Sequence, residues 1–305
     1  MRKALITGGA GFIGGHLVSR LLADGWDVTA VDRIGVNDRT DNPNFHFVKC
    51  DITDTEELTE ISIGADHVFH LAANSDIRSG ELDPSLDLGS TFMTTRSVLD
   101  AMAANGISKL FFPSTSAVYG DKRGKILDEE TGDMRPISYY GAYKLASEAI
   151  IHSYSFMRSI DALIFRFPNV VGPGLTHGVI FDFVNKLKAD ATKLEILGDG
   201  MQRKQYIHVS DLINGISMLS YDMPRGVGLY NVSAESSTTV NEIADIVCER
   251  MGLTDVEYRY TGGQAGWKSD VPSFEYDTSK IKRTGWTYRY NSTDAVRETV
   301  KSLDI

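Results

Sequence analysis

Tyr140 and Lys144 stand four residues apart in Ser138-Tyr139-Tyr140-Gly141-Ala142-Tyr143-Lys144-Leu145-Ala146-Ser147-Glu148, a stretch that predicts a helix over 138–158. That spacing puts both side chains on one helix face. A free tyrosine, with a pKa of ~10, is a poor base at neutral pH. A cation one turn away favours the phenolate and so lowers that value, which would make the phenol a usable acid and base. Tyr143 adjoins Lys144 and competes for the role, but neighbours on a helix point about 100° apart. Such a pair is also a common surface arrangement, so it gains meaning only with partners. A hydroxyl that aligns a reacting oxygen would complete the set, and Ser114, Thr115 and Ser116, after a predicted strand at 110–112, offer three.

The elements that must position this pair begin at the N-terminus. An apolar run, Lys3-Ala4-Leu5-Ile6-Thr7, leads into Gly8-Gly9-Ala10-Gly11-Phe12-Ile13-Gly14. Phe12, Ile13, Leu17, Val18, Leu21 and Leu22 then recur at helical spacing. A second apolar run, Val28-Thr29-Ala30-Val31, ends on Asp32. Strand, glycine turn, helix, strand and acid come in the order that a dinucleotide site needs. Glycines there let backbone N–H groups and a helix N-terminus face a pyrophosphate. Asp32 can accept from both ribose hydroxyls of NAD and would repel a 2′-phosphate, so NAD is the expected cofactor. Its positive nicotinamide ring would be a second cation near Tyr140. A P-loop is excluded, because no Gly-Lys-Ser/Thr follows the glycines.

Composition narrows the class. The chain has 305 residues, 42% hydrophobic and 24% charged, as in a globular enzyme of one large or two smaller domains. A formal net charge of −10 argues against nonspecific binding to nucleic acid or anionic membranes. No run approaches the ~20 apolar residues of a membrane span. No signal peptide is expected, since the first apolar run breaks at glycines. Cys50 and Cys248 lack metal-ligand spacing and read as buried small hydrophobes in a reducing, cytoplasmic setting.

Along the chain, a strand at 45–48 ends in Lys49-Cys50-Asp51-Ile52, where Asp51 is either a ligand contact at a strand edge or an N-cap for a helix near 54–60. A strand at 67–71 opens into Ala72-Ala73-Asn74, small residues that let backbone approach a ligand; His70 within it reads as a packed strand residue. A helix over 84–105 stops at Gly106. A strand at 162–167 precedes Pro168-Asn169-Val170-Val171-Gly172-Pro173-Gly174. This alternation predicts a Rossmann-type, doubly wound parallel sheet. Beyond residue 170 it breaks down, with helices near 181–190, 212–220 and 240–251 and a short strand near 257. The expected division is an NAD-binding domain at 1–168 plus about 205–230, and a smaller mixed α/β C-terminal substrate domain at about 169–204 and 231–305.

The glycine spacing Gly-x-x-Gly-x-x-Gly resembles the short-chain dehydrogenase/reductase superfamily. Thr7-Gly8-Gly9-Ala10-Gly11-Phe12-Ile13-Gly14, His70-Leu71-Ala72-Ala73, Ser114 to Gly120, Tyr140 to Lys144 and Asn169 to Gly174 together resemble its extended branch. They are similar to the UDP-glucose 4-epimerase-type members of the NAD-dependent epimerase/dehydratase family. The resemblance implies that Gly8, Gly11, Phe12, Ile13, Gly14, Asp32, Asp51, Ile52, Leu71, Ala72 and Ala73 hold NAD with Tyr140 and Lys144. It selects Thr115, four residues before Tyr119 of Val118-Tyr119-Gly120, as the hydroxyl partner. Many relatives carry an asparagine near the start of the 84–105 helix that touches the cofactor; Thr91 holds that place here.

The same resemblance implies a reaction. Related 4,6-dehydratases follow the threonine with Asp-Glu, and uronic-acid decarboxylases carry Glu in the second place; here Ser116 and Ala117 stand there. Elimination then lacks its acid and base, which leaves C4 epimerisation of a nucleotide-activated hexose, UDP-hexose favoured, through a 4-keto intermediate. A nucleotide-4-keto-sugar reductase is the alternative with the same residues, and a non-catalytic NAD-binding regulator the third reading. Asn74, Thr115, Ser116, Tyr140 and Asn169 would meet the substrate. Gly198-Asp199-Gly200-Met201-Gln202-Arg203-Lys204 resembles a motif whose arginine grips the diphosphate. Lys204 holds that place and supplies charge without a bidentate fork, so Arg203 is a second candidate; a solvated basic pair is the plain alternative. Lys268, beside Trp267, aligns with another phosphate-binding position. No metal is called for. A homodimer is expected, through the helices at 84–105 and 138–158, where Met93, Met102, Ile150, Ile151 and Phe156 suit either an interface or a core.

Overall fold

The computed structural model describes residues 1–35, 41–263 and 274–305. Two compact units divide the chain: Met1–Gly120 with Gly132–Arg166 and Ile213–Tyr230, and Asp121–Thr131 with Phe167–Leu212 and Asn231–Ile305.

The first unit is built on a seven-stranded sheet. Its strands are β1 (Lys3–Thr7), β2 (Asp27–Asp32), β3 (Phe45–Lys49), β4 (His67–His70), β5 (Lys109–Thr115), β6 (Asp161–Phe167) and β7 (Val227–Asn231), in the order β7-β6-β5-β4-β1-β2-β3. The pairs β1–β2, β2–β3, β1–β4 and β4–β5 are parallel, with Lys3 opposite Asp27 and Ala4 opposite His67. The order reverses between β1 and β4, the point where open α/β sheets leave a crevice at their strands' C-terminal ends. The buried strands are apolar on both sides, as a parallel sheet covered on both faces requires. Leu5, Val31, Val68, Leu110, Phe112 and Ile164 form one core cluster with Val98, Leu99 and Met102.

Helices α1 (Phe12–Ala23), α2 (Thr55–Ile61), α3 (Ile77–Leu82), α4 (Pro84–Asp87), α5 (Thr94–Asn105) and α6 (Tyr139–Arg158) connect the strands. The expected helix over 84–105 is interrupted by a π-helical turn at Leu88–Met93, and α3 before it was not foreseen. Gly106 ends α5 in the left-handed conformation, as expected. Asp54, and not Asp51, caps α2 by accepting from Glu57 N–H at 3.1 Å. Ser138 caps α6 by accepting from Gly141 N–H. Ile151 and Met102 lie in the core and Ile150 packs on it, whereas Phe156 is 88% exposed near the end of α6.

The second unit is a set of short pairings. Asn169–Val171 runs parallel to Tyr206–His208, Lys193–Ile196 parallel to Glu257–Tyr260, and Arg203–Lys204 antiparallel to Thr238–Thr239. Its helices include Val179–Ala189, Val240–Met251 and Ser292–Lys301. The last was not foreseen, although Asn291 caps it and Ala295, Val296, Thr299 and Val300 recur on one buried face. No described helix is long and apolar enough to cross a membrane.

Candidate active site

Where β1 ends, the chain turns at Gly8, whose φ of +72° suits glycine and whose N–H donates to Val31 O at 2.9 Å. A Cβ on Gly8 would stand 2.7 Å from Ala72 N, so the β1 and β4 loops touch backbone to backbone. Within this turn Gly14 has the tightest requirement. A Cβ there would lie 2.1 Å from Gly8 O, so only glycine lets α1 start this close to β1. Gly9, which the motif reading left out of the site, is needed too, because its Cβ would meet the Ala30 Cβ at 2.7 Å. Gly11 is the N-cap of α1 and offers no capping side chain, and no acid stands in the first turn. The N–H groups at Phe12 and Ile13 therefore begin a helix whose positive end is unanswered by the chain itself.

Asp32 closes β2. Its carboxylate accepts from Ala10 N–H and from Ile34 N–H, both at 3.1 Å, which aims it across the glycine turn. A cavity beside it is lined by Gly8, Val31, Asp32, Asp51, Ile52, Ala72 and Ala73, together with Arg33, Cys50, Thr53, Ser90 and Thr94. Six of the residues expected to hold a dinucleotide thus share one cavity. Asp51 accepts from Thr53 N–H and Oγ1 at 3.0 and 2.8 Å, and these bonds hold its carboxyl below the usual range. Leu71 N–H donates to Thr7 O and extends the β1–β4 pairing by one residue. Arg33, Ser90 and Thr94 carried no motif and could be found only from the fold. The cradle that a Cβ would fill, the uncapped helix start and the acid at the end of β2 fit NAD.

On the other side of the sheet's reversal point, β5 delivers the hydroxyls. Ser114 is buried and donates to the Glu148 carboxylate, which removes it as a partner for Tyr140. Thr115 caps the short 3₁₀ turn Ser116–Tyr119 by accepting from Ala117 N–H at 3.2 Å, and its hydroxyl stands by the Tyr140 phenol, on which it acts. Ser116, next along, is half-buried. Close packing of α6 on this turn requires Gly141, whose Cβ would stand 2.6 Å from Ala117 O.

Lys144 is 2% exposed. Its Nζ donates to Pro113 O at 2.8 Å and lies 4.6 Å from the Phe112 ring centroid and 5.9 Å from that of Tyr140. Burial pushes Lys144 down to about 7, against the opposing pulls of Glu148 and Asp87. Tyr140 is pushed up to about 12, chiefly by burial; the Thr115 side chain works against this and Asp87 adds to it. The expectation joined Lys144 to the positive nicotinamide ring of NAD; in the chain alone desolvation sets the direction for the phenol.

Beneath the pair lies a buried network. Arg166 Nη2 and Nε donate to the Glu148 carboxylate at 2.6 and 3.0 Å, and Nη1 donates to Tyr119 Oη at 3.1 Å. His70, between Thr7 Oγ1 and Thr95 Oγ1, is a packed strand residue, pushed down to about 3 by burial. Asn74 spends both amide hydrogens on Asp76 O and Asp87 Oδ1, and its backbone N–H donates to Thr91 Oγ1 at 3.3 Å.

In the second unit, Asn169 pairs with Tyr206. Arg203 and Lys204 are successive residues of one strand and so face opposite ways, with Arg203 exposed and Lys204 half-buried. One of the two can serve a given face. Lys268 lies outside the described residues.

The NAD dependent epimerase/dehydratase family model matches residues 4–233. A putative UDP-glucose 4-epimerase of Methanocaldococcus jannaschii is 29% identical over 97% of this chain and 96% of its own. Among solved structures, a UDP-galactose 4-epimerase superposes with a TM-score of 0.87 at 33% identity, covering 98% of each chain. The Thermus thermophilus UDP-glucose 4-epimerase in complex with NAD gives 0.86 at 29%, again with 98% of each chain covered.

Proposed function

This chain belongs to the NAD-dependent epimerase/dehydratase family, and from that premise we propose that it inverts C4 of a nucleotide-activated hexose, UDP-hexose first among the candidates. The observation that carries the reading is the Thr115 hydroxyl beside the Tyr140 phenol, with Lys144 buried behind them and no carboxylate at 116 or 117. Bound NAD, held by the glycine turn, the α1 N-terminus and Asp32, would take up and give back the C4 hydride and bring the positive charge that Tyr140 lacks.

The chain's own residues do the rest. Thr115 orients the C4 hydroxyl against Tyr140 Oη, which removes its proton as the 4-keto sugar forms. Lys144, anchored on Pro113 O, stays behind the phenol and reaches the nicotinamide ribose. After the keto sugar presents its other face, Tyr140 returns the proton to the C4 oxygen. Ser116 and Ala117 offer no group that could protonate a leaving C6 hydroxyl or take the C5 proton, so elimination stalls for lack of acid and base. Residues 1–168 with about 205–230 are proposed to bind the cofactor. The remainder is proposed to bind the sugar nucleotide, with Asn169 and one of Arg203, Lys204 and Lys268 on the diphosphate.

The chain is further proposed to act in the cytoplasm as a homodimer. Phe156 and Met157, 88% and 73% exposed on α6, support such a helix interface. The test is direct. Purified protein is denatured and assayed for released NAD, then offered UDP-, dTDP-, GDP- and CDP-sugars with NMR detection of the C4 epimer. Epimer formation without added cofactor supports the reading. Net consumption of NAD(P)H with a keto sugar, and no epimer, overturns it.

A further inference from the structure

Asp87 closes α4 and is completely buried. Its Oδ1 accepts from Asn74 Nδ2 at 2.9 Å, while Oδ2 has no hydrogen-bond partner among the described residues. Room for that oxygen comes from Gly80 inside α3, where a Cβ would stand 2.1 Å from it. A glycine within a helix and a buried oxygen without a donor are both destabilising choices. Two of them converge on one carboxyl.

Helix α4 packs on α6, which carries Tyr140 and Lys144. Glu148 also acts on Lys144, but Arg166 binds it through two nitrogens, so its charge is already answered. No ion pair joins Asp87 to a cation among the described residues. Helix α3, which packs on both α4 and α6, brings Asp76 at its N-cap with Arg78 and Glu81. The π-helical turn at Leu88–Met93, which also packs on α6, carries no ionisable side chain. His70 of β4, on which Lys144 acts, is held neutral.

We propose, resting on the reading that Tyr140 and Lys144 carry the chemistry, that Asp87 is the buried counter-charge of that pair, a positioning residue that keeps the pair's proton in place at neutral pH. Its charge raises both members, so the two macroscopic pKa values of the pair move up together. Asp87 is itself raised by burial and by Asp76, while the Asn74 hydrogen bond and Lys144 favour its ionised form. Among the described residues no cation stands at Oδ2 to offset that charge.

The test uses the full chain loaded with NAD and labelled with [ε-¹³C]lysine, in which the Lys144 signal is assigned by its loss in Lys144→Met. Asp87→Asn is isosteric and its carbonyl can keep the Asn74 bond. The Lys144 midpoint should fall by about half a pH unit or more, and the ascending limb of the epimerase pH–rate profile should move the same way. Asp87→Ser, smaller and equally uncharged, gives the same shift should the asparagine variant fail to fold. A folded variant with an unchanged Lys144 midpoint overturns the proposal. A wild-type chain that turns over no sugar would instead tell against the epimerase reading, while the lysine titration still decides the role of Asp87.

Discussion

Replacing Glu148 with glutamine leaves Arg166 buried as a cation without its counter-ion. Both side chains are 4% exposed, and the closest approach is 2.6 Å. At an effective dielectric of ~20 the pair attracts by about 6 kcal/mol, which offsets the cost of taking both charges out of water. Removing one partner forfeits the attraction and keeps the Arg166 cost, so Glu148→Gln should destabilise by about 3–5 kcal/mol. Glu148→Leu with Arg166→Met removes both charges. That double variant should lose only about 1–3 kcal/mol, because the Ser114 hydroxyl, which donates to Glu148, is orphaned. Urea unfolding at pH 7, followed by far-ultraviolet circular dichroism, compares the midpoints at constant slope. The double variant should be more stable than Glu148→Gln. A loss below about 1 kcal/mol in the single variant would mean that water reaches the pair, and would refute the argument.

Three further outcomes follow from the same geometry. Asp32→Ala removes a carboxylate that can accept from ribose hydroxyls, so NADH affinity in a fluorescence titration should fall about ten- to a hundredfold, and the preference over NADPH should shrink with Arg33 alongside. An unchanged preference would contradict the assignment of Asp32. Gly14→Ala places a Cβ 2.1 Å from Gly8 O and should abolish NAD retention and lower the melting temperature, whereas Gly15→Ala, with nothing within 4 Å, should do neither. His67 and His70 are depressed by burial to about 4 and about 3. Between those values and ~6.5 the unfolded chain binds protons that the native chain does not. Stability should therefore fall as pH drops from ~6.5 toward 4, by up to about 1.4 kcal/mol per pH unit for each histidine. Urea midpoints at pH 6.5, 5.5 and 4.5 check this, and His67→Gln with His70→Gln should flatten the slope.

The glycine turn, Asp32 and the Tyr140–Lys144 pair were legible because each depends on short-range spacing: a strand, a turn and a helix in register, or two side chains one turn apart. The alternation of strands and helices to residue 167 was legible for the same reason. Other features needed the packed chain. The π-helical turn at Leu88–Met93, which packs on α6, replaces what reads as an uninterrupted helix. Asp87 looks like any acid on an amphipathic helix until Gly80 and Asn74 enclose it. The closeness of Lys144 to Tyr140 can be read from spacing, whereas the desolvation that raises the phenol in the chain alone cannot. The helix at Ser292–Lys301 was there to be found, with an asparagine cap and a buried stripe. The pairing of Glu275–Tyr276 with Ile126–Leu127 joins segments too distant in sequence for any local pattern to reveal.

Tyr140 is the group proposed to move the C4 proton. Tyr140→Phe keeps the ring and removes only the hydroxyl beside Thr115. Single-turnover and steady-state rates should be measured on the sugar nucleotide that the wild type epimerises, alongside the NAD released on denaturation. The prediction is an NAD content equal to wild type with turnover lower by about 10²–10⁴-fold. Near-normal turnover in that variant would contradict the central claim.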